Sequence, residues 1–288
     1  MELQVASAFS FLRGASRPEE LVEAAALMGH RRLALTDRNG LYGVVQAYRA
    51  GQEHGVEIIP GAELALAGTQ DDTTLILLPR SRRGYGNLCR LLTLGRRRVG
   101  KGDFHLTLDD VAERSDGLHA IHVGAADPFR VSWEREIFGD RLALGFSRKL
   151  LPSDRADIEA TEAVAARYGL PLVALGGVLM HAPERKPMQD ILTCIRLGLR
   201  LDEAGRRLLP NGAALLRSPE DRATLFVDHP EALEESRRIA DLCTFRLDEL
   251  YQDFTLEVLP EGETGMGYLR KLVEKGVSER WLEGPPPE

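Results

Sequence analysis

The sequence predicts an α/β protein whose strands form a mainly parallel sheet that closes into a barrel. Helix-like and strand-like patterns alternate from residue 18 to residue 175, which is the order that builds a parallel sheet. A short apolar run over residues 33–35 ends at Thr36 and Asp37, as a buried parallel strand does when it carries polar side chains to its carboxyl end. The chain has 288 residues, of which 43% are hydrophobic, and this is enough to fill a barrel of roughly 200 to 250 residues.

The first part of the chain carries clear helix signals. Ser16 and Glu19 have the spacing of a capping box, and Pro18 suits a first helical turn, so we predict a helix that ends at Gly29. The elements predicted after it are a strand over residues 33–35, a helix ending near Gly55, a strand over 56–59, a turn at Pro60 and Gly61, and strands over 62–66 and 74–78.

The second part of the chain continues this pattern and then becomes helical. Strands are predicted over residues 118–123, 141–146 and 170–175, and helices over 157–168, 187–195, 231–242 and 267–281. Residues 284–288 are predicted to be disordered. We therefore expect a barrel core over residues 1–182, a C-terminal part of the same region over 183–260, and a helix with a tail over 261–288.

Composition and charge exclude several classes of protein. A formal net charge of -7 argues against a dedicated nucleic-acid binder, which usually carries a basic excess. The sequence contains neither a long apolar run nor a signal peptide pattern, so a cytoplasmic protein is expected. Cys89, Cys194 and Cys243 lack C-x-x-C spacing, which favours reduced structural thiols over a disulfide framework or a zinc site.

One segment of this acidic chain is basic. Its cations surround a helical leucine pattern, and they are Arg80, Arg82, Arg83, Arg90, Arg96, Arg97, Arg98 and Lys101. Such a cluster could contact the phosphates of DNA. A solvated helix face with cations near its C-terminus explains the same pattern, and we favour this interpretation because Tyr85 is the one aromatic residue interleaved with the cations.

Two stretches of the sequence resemble a known family. Residues 36–43, TDRNGLYG, are similar to the T-D-H-x-x-x-x-G segment of the PHP (polymerase and histidinol phosphatase) family. Residues 2–14 and 17–23 resemble the start of bacterial C-family DNA polymerases of the error-prone, DNA polymerase III α-subunit type. The resemblance implies a distorted TIM-like (β/α)7 barrel with a helical C-terminal extension. It also implies that residues 267–276 correspond to a segment leading into a polymerase body.

The resemblance further implies a cluster of histidines and carboxylates that binds Zn²⁺ or Mn²⁺ at the strand ends. Several ligands are needed because closely spaced cations must be held while a bound water is acidified. Glu63 is the family carboxylate that remains, and Asp37 matches the aspartate of the second motif, next to the lost histidine position at Arg38. The other ligand positions have changed, with Gln4, Ala6, Arg38, Thr74 and Leu179 in place of histidine and Arg13 and Gly177 in place of aspartate.

These replacements lead us to expect neither a catalytic residue nor a bound metal. A single carboxylate does not hold a metal cluster, and the cations of Arg13 and Arg38 would repel divalent ions. One interpretation is that the two arginines form salt bridges with Glu63, Asp37 and Glu2. The other is that Arg13 and Arg38 bind an anion such as phosphate, a task for which arginine is well suited.

By resemblance, the expected function is that of a degenerate, non-catalytic PHP domain related to the error-prone DNA polymerase III α subunit. Its role would be structural, packing against polymerase modules or other proteins of DNA replication or repair. The alternative is a Mn- or Zn-dependent phosphoesterase with a divergent site made of Glu63, Asp37, His122 and His181. No histidine pair with zinc-protease spacing, no nucleophile elbow and no phosphate-binding glycine loop supports another class of enzyme.

Overall fold

A six-stranded sheet lies at the centre of the larger of two compact units into which the chain divides. The structure is a computed structural model that describes residues 1–68, 73–209, 212–250, 259–260 and 262–281. The larger unit spans Met1–Glu249, and the smaller unit spans Leu250–Glu288. The predicted boundaries at residues 182 and 260 stay a prediction.

The strands follow one another across the sheet in chain order. Five of them point in one direction, and the third runs antiparallel to both of its neighbours. The prediction of a mainly parallel sheet is confirmed, and the third strand is reversed because residues 66–73 are too few for the crossover that a parallel return requires. The strands are β1 (Arg32–Arg38), β2 (Glu57–Ala65), β3 (Thr74–Pro79), β4 (Leu118–Val123), β5 (Leu142–Ser147) and β6 (Leu172–Leu175).

Helices connect the strands and cover the sheet. Gly55 and Gly169 follow two of them in the left-handed conformation, with φ angles of 73° and 63°, which confirms the helix ends predicted at these glycines. In chain order the helices are α1 (Pro18–Leu27), α2 (Val44–His54), α3 (Arg82–Arg97), α4 (Leu108–Ala112), α5 (Pro128–Phe138), α6 (Asp154–Tyr168), α7 (Lys186–Leu197), α8 (Leu201–Ala204), α9 (Pro219–Leu225) and α10 (Pro230–Leu242).

The turn predicted at Pro60 and Gly61 is wrong, because β2 runs through both residues. Pairing with β3 begins only at Ala62, so Pro60 lies where the edge of β2 toward β3 has no ladder partner, and its missing N–H is tolerated there. Glycine is required at position 61 by packing, since a Cβ there would lie 2.6 Å from Leu78 Cδ2. Two residues that usually mark a turn therefore sit inside a buried strand.

The N-terminal segment links the two outer parts of the sheet. Thr36 in β1 donates its backbone N–H to Val5 (2.8 Å), and Ala6 donates its own to Val178, just after β6 (2.9 Å). Isolated parallel bridges join Glu2 to Leu33 and Val5 to Val178. The fold is therefore a mixed α/β fold with a curled sheet, whereas the complete (β/α)7 barrel stays a prediction.

The interior of the curled sheet is apolar. Ile59, Ile76 and Ile121 project into it from three strands, and α10 adds Ile239 and Ala240. All three cysteines of the chain are free. Across the part of the chain that the structure describes, no helix combines the length and apolar character needed to cross a membrane.

The smaller unit contains the helix α11 (Gly265–Arg280), in agreement with the helix predicted over residues 267–281. Thr264 caps its first turn by accepting a hydrogen bond from the Gly267 N–H. The disordered end predicted for residues 284–288 lies outside the described residues.

Candidate functional site

The predicted site residues converge where β1 and β2 end. Asp37 and Arg38 are the last two residues of β1, and Arg38 is in register with Glu63 of β2. Alternation along each strand places Arg38 on the same face as Ala34, and Glu63 on the same face as Ile59, so both charged side chains face the curled interior. Gln4 reaches this place from the N-terminal segment.

The carboxylate of Glu63 has a hydrogen-bond partner on each oxygen. Gln4 Nε2 donates to Glu63 Oε2 at 2.8 Å, and Arg38 Nη1 lies 3.4 Å from Glu63 Oε1. The ion pair predicted between Arg38 and Glu63 is thereby confirmed. Gln4 and Arg38 stand at two positions where the family resemblance implies histidine ligands, so protein donors contact the carboxylate that a metal would otherwise use.

Asp37 is fully buried and acts as an anchor for the loop over residues 7–14. Its carboxylate accepts hydrogen bonds from the Ser7 N–H (2.7 Å), the Ser7 hydroxyl (2.8 Å) and the Ser10 hydroxyl (2.7 Å). Burial raises the pKa of Asp37, and the hydrogen bonds from Ser10 and Ser7 oppose this shift. Ser10 Oγ also accepts the N–H of Arg38 at 2.9 Å, which fastens the loop to the end of β1.

Glu2 forms an ion pair with Arg222 of α9, a residue that no sequence motif singles out. The Glu2 carboxylate also accepts the backbone N–H groups of Leu3 (2.9 Å), Gln4 (3.0 Å) and Gly176 (3.0 Å). One interpretation of the sequence paired Glu2 with Arg13 and Arg38, and the ion pair that the structure shows for Glu2 is with Arg222. The partner is 220 positions away in the sequence, and no local pattern indicates it.

Among the other lost positions, Gly177 lies beside this group. Gly177 has a φ of 57°, and a Cβ added there would lie 3.7 Å from Gln4 Oε1. Thr74 begins β3, and its hydroxyl is buried with no hydrogen-bond partner among the described residues. Ala6 is tied to Val178 through its backbone, and Leu179 packs in an apolar cluster. Gln4, Glu63, Arg38 and Gly177 are therefore brought together.

The two histidines of the alternative site have other partners. His122 Nδ1 lies 2.8 Å from Glu134 Oε2, and its Nε2 lies 3.1 Å from the Ala125 carbonyl oxygen. His122 alternates along β4 with Ile121, which faces the interior, so His122 lies on the opposite face of the sheet from Glu63. His181 Nδ1 lies 2.8 Å from Ser16 Oγ.

The described side chains do not fit the metal cluster that the PHP resemblance implies. Within the described ranges, no group of three or more His, Cys, Asp or Glu side chains could hold a metal ion. Glu63 is contacted by an amide and a guanidinium, and Asp37 by two serines. Amide N–H groups and cations are not ligands for Zn²⁺ or Mn²⁺.

The basic segment reaches the site through the C-terminal end of α3. Arg96 Nη2 donates to the Asn39 carbonyl (3.1 Å) in the loop after β1, and its guanidinium lies over the ring of Phe104. Arg98 pairs with Asp110 of α4. The cations of the last turn also interact favourably with the helix dipole, which is the interpretation favoured from the sequence.

Comparison with known proteins gives consistent matches. The model of the PHP domain family matches residues 2–131. An error-prone DNA polymerase of Methylococcus capsulatus is 43% identical over 289 residues, covering 99% of this chain and 27% of that protein. An error-prone DNA polymerase of Pseudomonas paraeruginosa is 40% identical over 285 residues, covering 98% of this chain and 27% of that protein. This chain thus spans about a quarter of the length of these curated relatives.

Among solved structures, a candidate metal-dependent phosphoesterase from Bifidobacterium adolescentis superposes with a TM-score of 0.47 at 15% identity, covering 61% of this chain and 86% of that one. The sequence matches are much stronger than this structural likeness, and they agree with the motifs in residues 2–14 and 36–43. Residues 2–131 therefore match the PHP domain family, and the chain is homologous, along 99% of its length, to error-prone DNA polymerases.

Proposed function

We propose that this chain is a degenerate, non-catalytic PHP domain that serves as a structural or interaction module in DNA replication or repair, in the cytoplasm. The observation that carries the proposal is the state of Glu63, whose carboxylate is contacted by Gln4 and Arg38. Both partners replace histidines that the family resemblance implies as metal ligands. The proposal is that these side chains have taken over the role of holding the strand ends together.

Electrostatics supports this proposal. A fixed positive charge about 4 Å from a cation repels it by about 4 kcal/mol per unit charge at an effective dielectric constant of about 20. A coordinating carboxylate oxygen lies about 2 Å from its metal and attracts it more strongly, so Arg38 offsets part of the attraction of Glu63. A second ion would add its own repulsion to that of Arg38.

The proposed partners are polymerase modules or other proteins of DNA replication and repair. The homology to error-prone DNA polymerases supports this choice, because the matched region makes up 27% of those proteins. A domain that has lost its metal-dependent activity but retains a packed core is well suited to hold neighbouring modules in place.

The test is the metal content of protein incubated with Zn²⁺ and Mn²⁺ and then desalted, together with phosphodiester hydrolysis in the presence of Mn²⁺. We expect a metal content near zero and no hydrolysis above that of a Glu63→Gln control. Two or more tightly held ions per chain, lost in the control, would contradict the proposal. The phosphoesterase with Glu63, Asp37, His122 and His181 would then take its place.

A further inference from the structure

A small cavity lies between the first residues of the chain, the segment after β6, and α9. It has a volume of about 10 Å³, which is the space that one water molecule or one small ion needs. Every residue that lines it is buried or half-buried. Its lining contains one carboxylate, that of Glu2, and three guanidinium groups, those of Arg148, Arg217 and Arg222. The charged part of the lining is therefore mainly cationic.

The three arginines come from separate parts of the fold. Arg148 follows β5, Arg217 precedes α9, and Arg222 lies in α9. The guanidinium carbons of Arg148 and Arg222 lie 5.9 Å and 5.7 Å from the centre of the same ring, that of Phe226. Arg217 Nη1 donates to the Ala213 carbonyl at 2.7 Å, which holds the third side chain. The fold thus brings the three cations to one place.

The positive charge of the lining is balanced only in part. Glu2 pairs with Arg222, and it is the one carboxylate among the lining residues. Arg148 has its carboxylate partner outside the lining, in Asp228 at 2.5 Å. Because Asp228 is exposed, water screens its charge. The interior of the cavity therefore keeps an excess of positive charge.

Burial of these cations has a cost that a negative ion would reduce. Burial lowers the pKa of Arg217, although the charge of Asp221 acts in the opposite direction. Burial also lowers the pKa of Arg222 to about 10. Both guanidinium groups stay charged at neutral pH, so their lost hydration has to be replaced by other contacts. An anion placed between them supplies such contacts.

The unused hydrogen-bonding capacity of the cavity belongs to a donor. Arg148 Nε is buried and has no hydrogen-bond partner among the described residues. The Glu2 carboxylate accepts three backbone N–H groups on one oxygen and Arg222 on the other, so its acceptor capacity is already in use. Arginine itself has no acceptor atom. A ligand that only accepts hydrogen bonds fits this lining, whereas a water molecule would also need acceptors for its own protons.

We propose that this cavity, called the arginine cavity below, binds one small anion of halide size, namely chloride, between Arg148, Arg217 and Arg222. Phosphate and sulfate carry four oxygens around a central atom and are too large for the volume. The apolar part of the lining, which includes Leu175 and Phe226, suits an ion that gives up its water easily. The bound ion would hold the segment after β5 against α9 and the residues before it.

This inference goes beyond the proposed function and does not depend on it. The arginine cavity shares no residue with the group of Gln4, Glu63 and Arg38, and its ligand is an anion instead of a metal ion. It is also distinct from the anion site predicted at Arg13 and Arg38, because neither of these arginines lines the cavity.

The test compares thermal unfolding of the full chain in sodium chloride and in sodium gluconate, at equal ionic strength and with EDTA present. Gluconate is too large to enter the cavity. We expect chloride to raise the midpoint in a saturable way, by roughly 3–6 °C at about ten times its dissociation constant. Bromide should act in the same way, phosphate should give no saturable rise, and the protein should broaden the NMR signal of chloride.

Two substitutions remove donors from the cavity. Arg148→Met and Arg217→Met should each weaken chloride binding by about tenfold or more, because each removes a charged hydrogen-bond donor. Arg148→Met also breaks the ion pair with Asp228, so Asp228→Asn is the matched control. It weakens the same pair but leaves Arg148 at the cavity, and it should preserve the response to chloride.

The proposal fails if the midpoints in chloride and gluconate agree and the chloride signal stays sharp, which is the result expected for a cavity that holds only water. It also fails if Arg148→Met responds to chloride as the wild-type chain does. A larger effect of phosphate than of chloride would contradict the assignment to a halide. The comparison on the wild-type chain gives an answer even where a variant does not fold. None of these results alters the metal content that tests the proposed function.

Discussion

At the scale of single residues, His119 is the most unusual buried group in the sheet. It lies in β4 with no exposed surface, and neither ring nitrogen has a hydrogen-bond partner among the described residues. Burial lowers its pKa to about 3, and three nearby positive charges act in the same direction: Arg238, Arg80 and Arg141. The imidazole is therefore neutral in the folded state over the whole physiological range of pH.

This buried histidine makes stability depend on pH in a defined window. In the unfolded chain a histidine takes up a proton near pH 6.5, whereas the folded chain resists protonation of His119 until about pH 3. The contribution of His119 to the free energy of unfolding is therefore complete above about pH 6.5. It is lost as the pH falls from there toward 3, at about 1.4 kcal/mol per pH unit.

Urea unfolding at several pH values between about 7 and about 5 measures this effect. We expect the free energy of unfolding of His119→Leu to fall less steeply with acid than that of the wild-type chain. His54→Gln changes an exposed histidine at the end of α2 and should keep the wild-type slope. Equal slopes for wild type and His119→Leu would show that His119 is protonated or solvated in the folded chain.

At the scale of elements, the N-terminal segment depends on the buried ion pair between Glu2 and Arg222. The Glu2 carboxylate accepts hydrogen bonds from three backbone N–H groups, and Arg222 Nη2 also donates to the Ala174 carbonyl of β6 at 3.0 Å. Burial lowers the pKa of Arg222 to about 10, a value that keeps the guanidinium charged at neutral pH. The pair therefore joins the first residues of the chain to β6 and α9.

Breaking this pair leaves one buried charge without its partner, which typically costs about 3–5 kcal/mol. We expect Glu2→Gln and Arg222→Met each to destabilise the chain by about this amount, and the double variant to lose clearly less than the sum. Denaturant unfolding of the four proteins gives the coupling energy. Glu159→Gln breaks the exposed pair with Arg155 on α6 and should leave the free energy of unfolding nearly unchanged. Additive losses at Glu2 and Arg222 would rule out a coupled pair.

The elements also show which parts of the fold a sequence reveals. The helix ends at Gly55 and Gly169 could be predicted because a left-handed cap is a local requirement that glycine meets best. The continuity of β2 through Pro60 could not, because the tolerance of proline depends on where pairing with β3 begins. The antiparallel direction of β3 depends in the same way on its connection to β2 and on the neighbouring strands.

The same distinction applies to the candidate site. Glu63, Gln4 and Arg38 could be singled out from motif positions, and the structure brings them together. The burial of Asp37 beneath Ser7 and Ser10, and the approach of α3 to Asn39, depend on contacts between distant segments. Sequence patterns therefore predict the composition of the site better than its surroundings.

At the scale of the whole molecule, the fold holds its strand ends together with its own side chains. Gln4, Glu63 and Arg38 connect the N-terminal segment, β2 and β1 at the place where the family resemblance implies metal ions. Metal ions bridge several ligands at once, and their removal from such a site would loosen all the segments that supply them. If the proposed function is right, direct contacts between side chains make the fold independent of the metal supply.

Chelation tests this independence in one thermal unfolding experiment. A ligand present at about 100 times its dissociation constant stabilises a protein by about 2.7 kcal/mol, and 1 kcal/mol shifts the midpoint of a chain of about this size by roughly 2–4 °C. A bound metal ion would therefore raise the midpoint by roughly 5–11 °C. We expect EDTA to leave the midpoint unchanged, because no part of the interaction between Gln4, Glu63 and Arg38 needs an ion.

Glu63→Gln separates the two explanations of stability at this place. It removes the ion pair with Arg38 and should lower the midpoint by the same amount with and without EDTA. If a metal were held there, EDTA would lower the wild-type midpoint, Mn²⁺ or Zn²⁺ would restore it, and the variant would no longer respond to either. The opposite result is a midpoint that falls on the Glu63→Gln substitution and stays unchanged on addition of EDTA. That result would mean that an ion pair and an amide hydrogen bond have replaced metal coordination in keeping this edge of the sheet closed.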